Sequence, residues 1–423
     1  MDNTTFSPTA LGSYRVLDMT DEKGFLCGRL LADLGADVIK VEPPGGDRAR
    51  GQGPFFRGVP LPENSMAWWA FNVNKRGITL NISSDDGRRL LMELVKGVDF
   101  LIESFAPGYL DGLGLGYEAL SPLNPGLIMV SITPFGQAGP YARYQASDLV
   151  LQAMGGFMYV TGYEDGPPMR IGIPVAYLHA GAEAGAAALI ASHHRAATGE
   201  GQHVDVSAQQ CVAWTLMESN PTWDISRKNV RRAGNFYNEP SPPMRRIHHW
   251  PCKDGQVSYA NYGGPLFARR SERFYRMMQE KDGVPVDRLL EKDWLSNQEG
   301  QRLMSQRDLD DEAEVMGAFF LRHTKEELYD WSIEKKFMLT PVNTPRELLA
   351  SPQIKAREYM VEMDHPDLAA RVPYPGAFVQ MSETPCQMRR KPPRIGEHNQ
   401  EIYMGQVGLS REELTELRSA GVI

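Results

Sequence analysis

Residues 15–42 read RVLDMTDEKGFLCGRLLADLGADVIKVE, and this stretch decides the fold. Arg15–Met19 is a short, mostly apolar run typical of a strand, and Asp37–Glu42 is rich in β-branched residues. Between them, residues 21–35 carry leucines at helical spacing and end on Gly35, a residue that commonly stops a helix. Strand, helix and strand within about 30 residues form a βαβ unit, which predicts a right-handed crossover in a parallel sheet.

The same alternation continues for about 200 residues and predicts an α/β domain. Further strands are predicted over 98–102, 127–132 and 202–206, and helices over 85–96, 147–154, 178–197 and 207–216. Residues 218–262 are dense in Pro and Arg, which indicates a traverse with little regular structure. Residues 263–340 are mostly helical in pattern, and a capping box at Ser410 and Glu413 opens a terminal helix.

The composition excludes several classes of protein. The chain has 423 residues, with 45 Lys and Arg against 53 Asp and Glu, so its net charge of −8 argues against nucleic-acid binding. No apolar run is long enough to cross a bilayer, and the first residues, MDNTTFSPTALGSY, lack the pattern of a secretory signal. The four cysteines are far apart, which fits a reducing cytoplasm and argues against a disulfide scaffold or a zinc site.

Several long motifs occur in a fixed order along nearly the whole chain. They are VLDMT (16–20), LLADLGADVIKVEPPGGDRAR (30–50), FNVNKRGITLNI (71–82), GLGLGYEALSPLNPGLIMVSITPFGQAGPY (112–141), TGYEDGPPMRIGIPVAYLHAG (161–181), RAATGEGQHVDVS (195–207), PVNTPRELLASPQIKAREY (341–359) and PRIGEHNQEIYMGQVGLS (393–410). In these motifs the chain resembles the class III CoA-transferases, the family of formyl-CoA transferase with its α-methylacyl-CoA racemase relatives.

The resemblance implies a fold and an assembly that spacing alone does not give. A large Rossmann-like domain is built from both chain ends, here 1–217 and 341–423. A linker over 218–262 leads to a smaller α/β domain over 263–340, and two such chains interlock as a dimer. The implied activity is transfer of coenzyme A from an acyl-CoA to a carboxylic acid. No resident cofactor and no metal is implied, because coenzyme A is a substrate.

The nucleophile of the family is an Asp in a segment that reads roughly V-(G/A)-D. Its carboxylate attacks the thioester and then holds CoA as an aspartyl thioester, which is covalent catalysis. In this chain the segment reads Val175-Ala176-Tyr177, so Tyr177 occupies the nucleophile position. A phenol ionises near pH 10 and has no carbonyl carbon, so it cannot form a thioester with CoA. The resemblance therefore predicts no catalytic residue in this chain.

Neighbouring acids are weak substitutes for the missing carboxylate. Asp148 follows Ser147 where the racemase relatives carry a His, and its expected role is a helix charge or a structural acceptor. Glu183 lies six residues after Tyr177, a spacing that does not place both side chains on one helix face.

The positions that bind CoA in relatives are also depleted of cations. Pro43, Ser104 and Gly112 stand where the resemblance leads us to expect a basic residue, an Asn and a basic residue. The candidates that remain for CoA binding are Lys75, Arg76, Phe105 and Arg48, and surface solvation explains the charged ones equally well.

Three functions remain open at this stage. The first is a catalytically silent subunit of a two-subunit CoA-transferase whose paralogous partner carries the Asp, with succinyl-CoA as donor and (R)-benzylsuccinate, from anaerobic toluene degradation, as acceptor. The second is an active homodimer with different acyl-CoA chemistry, an isomerase or a hydrolase. The third is a binding protein on the same fold without turnover.

Overall fold

A computed structural model describes residues 9–240, 243–259, 265–290 and 305–423. Within them the chain divides into two compact units. The first unit comprises residues 9–158, 170–229 and 353–423, and the second comprises 159–169 and 230–352. The sequence placed the corresponding borders at 217 and 341, whereas the units divide after 229 and after 352.

The strands are β1 Arg15–Met19, β2 Asp37–Glu42, β3 Lys75–Thr79, β4 Phe100–Glu103, β5 Ile128–Thr133, β6 Gln202–Ser207, β7 Phe236–Pro240, β8 Pro243–Ile247, β9 His249–Cys252, β10 Gly255–Tyr259, β11 Leu339–Pro341, β12 Met360–His365 and β13 Ala370–Pro375. The helices are α1 Phe25–Asp33, α2 Met66–Asn72, α3 Asp85–Val95, α4 Tyr109–Gly112, α5 Tyr117–Leu120, α6 Asp148–Met154, α7 Phe157–Val160, α8 Val175–Thr198, α9 Ala208–Trp214, α10 Ser219–Ser226, α11 Pro265–Asp282, α12 Asp287–Leu290, α13 Gln306–Phe320, α14 Lys325–Lys335, α15 Pro345–Ala350, α16 Pro352–Ala356, α17 Asn399–Ile402 and α18 Arg411–Ser419.

The first unit is built on a six-stranded sheet in the order β3-β2-β1-β4-β5-β6. Every neighbouring pair in it is parallel, as the βαβ pattern predicts. Apolar cores cover both of its faces, one including residues of α1, α8 and α9, the other residues of α3 and α18. The predicted parallel α/β fold is confirmed, and the strand order is that of dinucleotide-binding proteins.

Small residues allow α8 to lie close to α1. The buried side of α8 consists of alanines and glycines, with one serine: Ala176, Ala180, Gly181, Ala184, Gly185, Ala188, Ala191 and Ser192. At Gly181 an added Cβ would lie 2.8 Å from Leu26 Cβ and 3.2 Å from the Cys27 amide nitrogen. The Ala and Gly content of this helix therefore serves close helix packing.

The second unit contains an antiparallel sheet in the order β11-β10-β9 and the hairpin β7-β8. Its core includes Trp250, Tyr259, Phe274 and Phe320. The prediction of little regular structure over 218–262 is wrong for the described residues, because α10 and β7 to β10 lie there. In β9, buried Trp250 and Cys252 alternate with exposed neighbours, and Pro251 hides that alternation in the sequence.

The C-terminal segment covers the edge of the sheet at β3. The Asn399 side chain accepts from the Thr79 amide at 2.8 Å and donates to Thr79 Oγ1 at 2.7 Å. Tyr403 donates to the Thr79 carbonyl at 2.7 Å, and the Gly77 amide donates to His398 Nδ1 at 3.0 Å. Residues 9–158 and 353–423 therefore belong to one unit, as the family resemblance implies for the two parts of the large domain. In the described part of the chain, no helix has the length and apolarity needed to span a membrane.

A buried charge cluster joins β1, β2 and β3. Asp18 Oδ2 accepts from Lys75 Nζ at 2.7 Å, and Lys40 Nζ lies 3.6 Å from Asp18 Oδ1. All three side chains are fully buried. Burial alone would raise the pKa of Asp18, but the ammonium groups of Lys40 and Lys75 outweigh it and hold that pKa below its ordinary value.

Gly28 in α1 makes room for this cluster. A Cβ at Gly28 would overlap Asp18 Oδ2 and lie 3.0 Å from Lys75 Nζ. We therefore expect Gly28→Ala to lower the free energy of unfolding by about 2–3 kcal/mol, because the side chain must displace a buried ion pair. Urea denaturation followed by tryptophan fluorescence measures the change.

Gly185→Ala in α8 is the matched control. There an added Cβ would meet Leu30 Cδ1 at 3.4 Å, close to ordinary contact, and alanine favours the helix by up to about 1 kcal/mol. We expect this variant to be neutral or stabilised. Equal destabilisation of the two variants would contradict the role given to Gly28.

Candidate functional site

A cavity of about 220 Å³ lies at the carboxyl ends of β1, β2, β3 and β4. Because the chain leaves β1 toward one side of the sheet and β4 toward the other, this is the point where open parallel sheets bind ligands. The residues that line it are Met19, Thr20, Asp21, Val41, Glu42, Pro43, Asp47, Leu80, Asn81, Ile82, Ser83, Ser104, Phe105 and Tyr109.

Two hydrogen bonds connect the loops after β1 and β4 at this cavity. The Asp21 amide donates to Ser104 Oγ at 2.8 Å, and the Ser104 hydroxyl donates to Asp21 Oδ1 at 2.8 Å. The other carboxylate oxygen of Asp21 pairs with the Lys23 ammonium. These polar groups therefore satisfy one another.

The ionisable side chains on the cavity wall are all acidic. Asp21, Glu42 and Asp47 line it, whereas no lysine or arginine does so within the described ranges. Glu42 accepts two hydrogen bonds from the buried Arg50 guanidinium, at 2.6 and 2.8 Å, and is thereby compensated. Burial raises the pKa of Asp47, although the charge of Lys40 acts in the opposite direction.

Tyr177 is half-buried in the first turn of α8. Its hydroxyl lies 3.5 Å from the Ala146 carbonyl oxygen. Burial raises the pKa of Tyr177 to about 12, and the carboxylates of Glu22, Asp21 and Asp148 act in the same direction. The phenol is therefore neutral at physiological pH. No motif in the sequence indicates that Asp21 and Glu22 act on Tyr177.

Both carboxylate oxygens of Asp148 accept hydrogen bonds, and one of these bonds joins α6 to α8. It is the first residue of α6, and its Oδ1 accepts the Ala176 amide of α8 at 2.9 Å. Its Oδ2 accepts from Gln152 Nε2 at 2.6 Å. This is the structural acceptor role that the sequence favoured for Asp148.

Glu183 is exposed on α8. Six residues in a helix turn through about 600°, so Glu183 and Tyr177 lie on different faces. The structure therefore does not bring this second substitute acid beside Tyr177.

Lys75 and Arg76 have carboxylate partners in the fold. Besides Asp18, Lys75 Nζ donates to Asn72 Oδ1 at 3.0 Å, and burial lowers its pKa against the opposing charge of Asp18. Arg76 pairs with Asp37 and with Glu401. Neither lines the cavity, so a contact of either with a CoA phosphate would require that an ion pair open.

Phe105 and Arg48 lie in the loops of the carboxyl edge. Phe105 lines the cavity and packs against Tyr109, with ring centroids 5.0 Å apart. Arg48 follows Asp47, is 79% exposed in its side chain, and donates to Glu22 Oε1 at 3.1 Å. Of the four candidate CoA residues, these two remain open to a ligand, and that role stays a prediction.

A second cavity contains a cluster of polar side chains that was not predicted from the sequence. Glu103, Ser131 and His203, from β4, β5 and β6, line a cavity of about 410 Å³. Ser131 Oγ and His203 Nε2 are 2.8 Å apart, and Glu103 accepts the Phe105 amide at 2.6 Å. Burial raises the pKa of Glu103 to about 7, against hydrogen bonds from Ser131 and Phe105. The three residues are far apart in sequence, and only the strand order brings them together.

The order of the parallel strands and the cavity at their carboxyl ends define a Rossmann-like α/β protein that presents its ligand site on the loops after the strands. The model of CoA-transferase family III matches residues 11–399, and the chain belongs to this family.

Individual relatives match over almost their whole length. The chain is 35% identical to succinyl-CoA:(R)-benzylsuccinate CoA-transferase subunit BbsE of Thauera aromatica, covering 97% of each chain. It is 32% identical to the succinyl-CoA–L-malate CoA-transferase beta subunit of Chloroflexus aurantiacus, covering all of both. The crystal structure of a CaiB/BaiF family protein from Brucella suis superimposes with a TM-score of 0.80 at 28% identity, over 95% of this chain and all of that one. The fold and the family expected from the sequence are thereby confirmed.

The raised pKa of Glu103 predicts a pH-dependent stability. In the unfolded chain this carboxyl ionises near its ordinary value of 4.5, and in the folded chain near 7, so the folded state binds more protons between these values. Stability is therefore lost as the pH rises through this window. Glu103→Gln removes the ionisation and keeps an acceptor for the Phe105 amide.

Relative to Glu103→Gln, the unfolding free energy of the unmodified protein should fall by about 2–3 kcal/mol between pH 5 and pH 8. Urea denaturation at several pH values gives both curves. Parallel curves for the two proteins would show that Glu103 ionises at the same pH in both states.

Proposed function

We propose that this chain is the catalytically silent subunit of a two-subunit CoA-transferase, and that a paralogous partner carries the nucleophilic Asp. The observation that carries the proposal is Tyr177, which stands at the nucleophile position in the family's motif. The family membership supports the class of reaction, and the side chain at position 177 supports the silence of this copy.

The chemistry of transfer explains why a carboxylate is required. An Asp carboxylate attacks the thioester carbonyl, the CoA thiolate leaves, and a mixed anhydride forms. The thiolate then attacks the Asp acyl carbon, releases the donor acid and leaves CoA as an aspartyl thioester. An acceptor carboxylate reverses the two steps. Tyr177 has no acyl carbon, so it has no atom to which the thiolate could be attached.

The surroundings of Tyr177 also suit a neutral side chain. The charges of Glu22 and Asp21 act on the phenol and keep its proton in place. Asp148 contributes in the same direction and is held in position by Ala176 and Gln152. A nucleophile at position 177 would have to be ionised. The negative charges of the surrounding carboxylates disfavour an ionised acid at this position.

The relatives support the particular assembly and substrates proposed. BbsE and the malate enzyme's beta subunit are each named as one subunit of an enzyme that uses succinyl-CoA. We assign succinyl-CoA as donor and (R)-benzylsuccinate, an acid of anaerobic toluene degradation, as acceptor, since the sequence resemblance points to the same pair. The partner would interlock with this chain in the cytoplasm, and each chain would complete the other's fold.

Co-expression with a paralogue that has Asp at the nucleophile position tests the proposal. We expect no transfer of CoA from succinyl-CoA to (R)-benzylsuccinate by this chain alone, and transfer by the complex. Tyr177→Phe in the complex should keep the rate within about threefold, because the hydroxyl takes no part in catalysis. Product analysis by mass spectrometry gives the rates, and hydroxylamine traps any enzyme-bound thioester.

Replacement of the partner's Asp by Ala is the matched control, and it should abolish both transfer and the trapped thioester. Transfer by this chain alone would establish the alternative of an active homodimer. A protein that neither turns over nor binds any paralogue would be a binding protein instead.

Tyr177→Asp should not turn this chain into an active homodimer. The new carboxylate would lie in the field of Glu22, Asp21 and Asp148, which raises its pKa and lowers the fraction ionised. We expect turnover at least a hundredfold below that of the complex, assayed with the same substrates. Turnover close to the complex would show that the side chain at 177 alone makes this subunit silent.

A further inference from the structure

Resting on the proposed function, we infer that the cavity at the carboxyl edge of this chain holds no CoA, so that the two-subunit enzyme binds one CoA per pair of chains. This goes beyond the missing nucleophile, because binding of CoA requires the loops around the cavity and not the side chain at position 177. The charge, the hydrogen bonds and the size of the cavity each support it.

The charge of the cavity opposes a phosphate-bearing ligand. CoA carries several phosphate charges, which proteins bind with Arg and Lys. Here Asp21, Glu42 and Asp47 face the space. Of the nearby cations, Arg50 bonds to Glu42 and Lys23 to Asp21. Arg48 is 79% exposed, but it is bonded to Glu22 and does not line the cavity.

The backbone donors of the first loop are also engaged. In dinucleotide-binding folds the pyrophosphate lies at the N-terminus of the helix after β1, where amides are free. In this chain the Gly24 and Phe25 amides donate to the Asp21 carbonyl, at 2.9 and 3.2 Å. The Lys23 amide donates to Asp21 Oδ1 at 3.1 Å. A phosphate would have to displace these bonds.

The hydrogen bonds between Asp21 and Ser104 also restrict the cavity. They join the loop after β1 to the loop after β4, and both residues line the cavity. The cavity volume of about 220 Å³ is below the roughly 300–1,000 Å³ of pockets that bury drug-sized ligands, and CoA is larger than most of these.

Titration of the purified complex with CoA, by isothermal calorimetry up to millimolar concentration, measures the stoichiometry. We expect one CoA per pair of chains. Two sites per pair would overturn the inference and leave the proposed function intact, because transfer would still need the partner's Asp. Transfer by this chain alone would overturn the proposed function instead.

A variant that gains CoA binding tests whether the lack of positive charge is the reason that the cavity holds no CoA. Pro43 lines the cavity and is exposed, and Gly112 lies three residues after Tyr109 on the same helix, with no atom within 4 Å of an added Cβ. Both positions can therefore take a long side chain. The double variant Pro43→Arg with Gly112→Arg should add a second CoA site, with affinity at least tenfold above that of the unmodified cavity.

The variant Pro43→Gln with Gly112→Gln is matched in length without charge and should stay at one CoA. Equal CoA binding by the arginine and glutamine variants would overturn charge as the cause.

Discussion

The first unit depends on one carboxylate, that of Asp18, which lies buried between Lys40 and Lys75. These residues come from three neighbouring strands, and the ion pairs hold those strands together. Removal of one partner from a buried ion pair typically costs about 3–5 kcal/mol, because the remaining charge loses its compensation. The ammonium protons that do not reach Asp18 find carbonyl oxygens, among them that of Thr20.

In this chain, the buried cations stabilise the fold and are not available to bind a ligand. Lys75, Arg76 and Arg50 look like phosphate ligands by residue type, yet each has carboxylate partners within the fold. Binding of an anion at the carboxyl edge must therefore rely on the loops after the strands. In this chain those loops carry Asp21 and Asp47. A member of the family can thus keep its fold while it loses its ligand, since separate residues support the two properties.

Five of the six strands of the sheet could be predicted because β-branched runs and helical spacing are local signals, as in Asp37–Glu42 and in α1. The edge strand β3 was missed, because its five residues KRGIT begin with two cations and a glycine. The short strands of the second unit could not be predicted. In β9, for example, Pro251 hides the alternation of buried and exposed residues. The position of Tyr177 came from the family motif. Its acidic neighbours Asp21 and Glu22 could not be foreseen, since they are over 150 residues away in sequence. A lysine such as Lys75 also reads the same in sequence whether it faces solvent or a buried carboxylate.

The bonds from Asn399 and Tyr403 to Thr79 have a consequence for biosynthesis. The ribosome makes β3 some 320 residues before the segment that covers it, so the edge of the sheet stays uncovered while the residues between them are made. The second unit, by contrast, is complete in the nascent chain before residues 353–423 have been made. The unit that emerges first must therefore finish folding last, and any chain truncated near its C-terminus would expose an unpaired strand edge to other nascent chains.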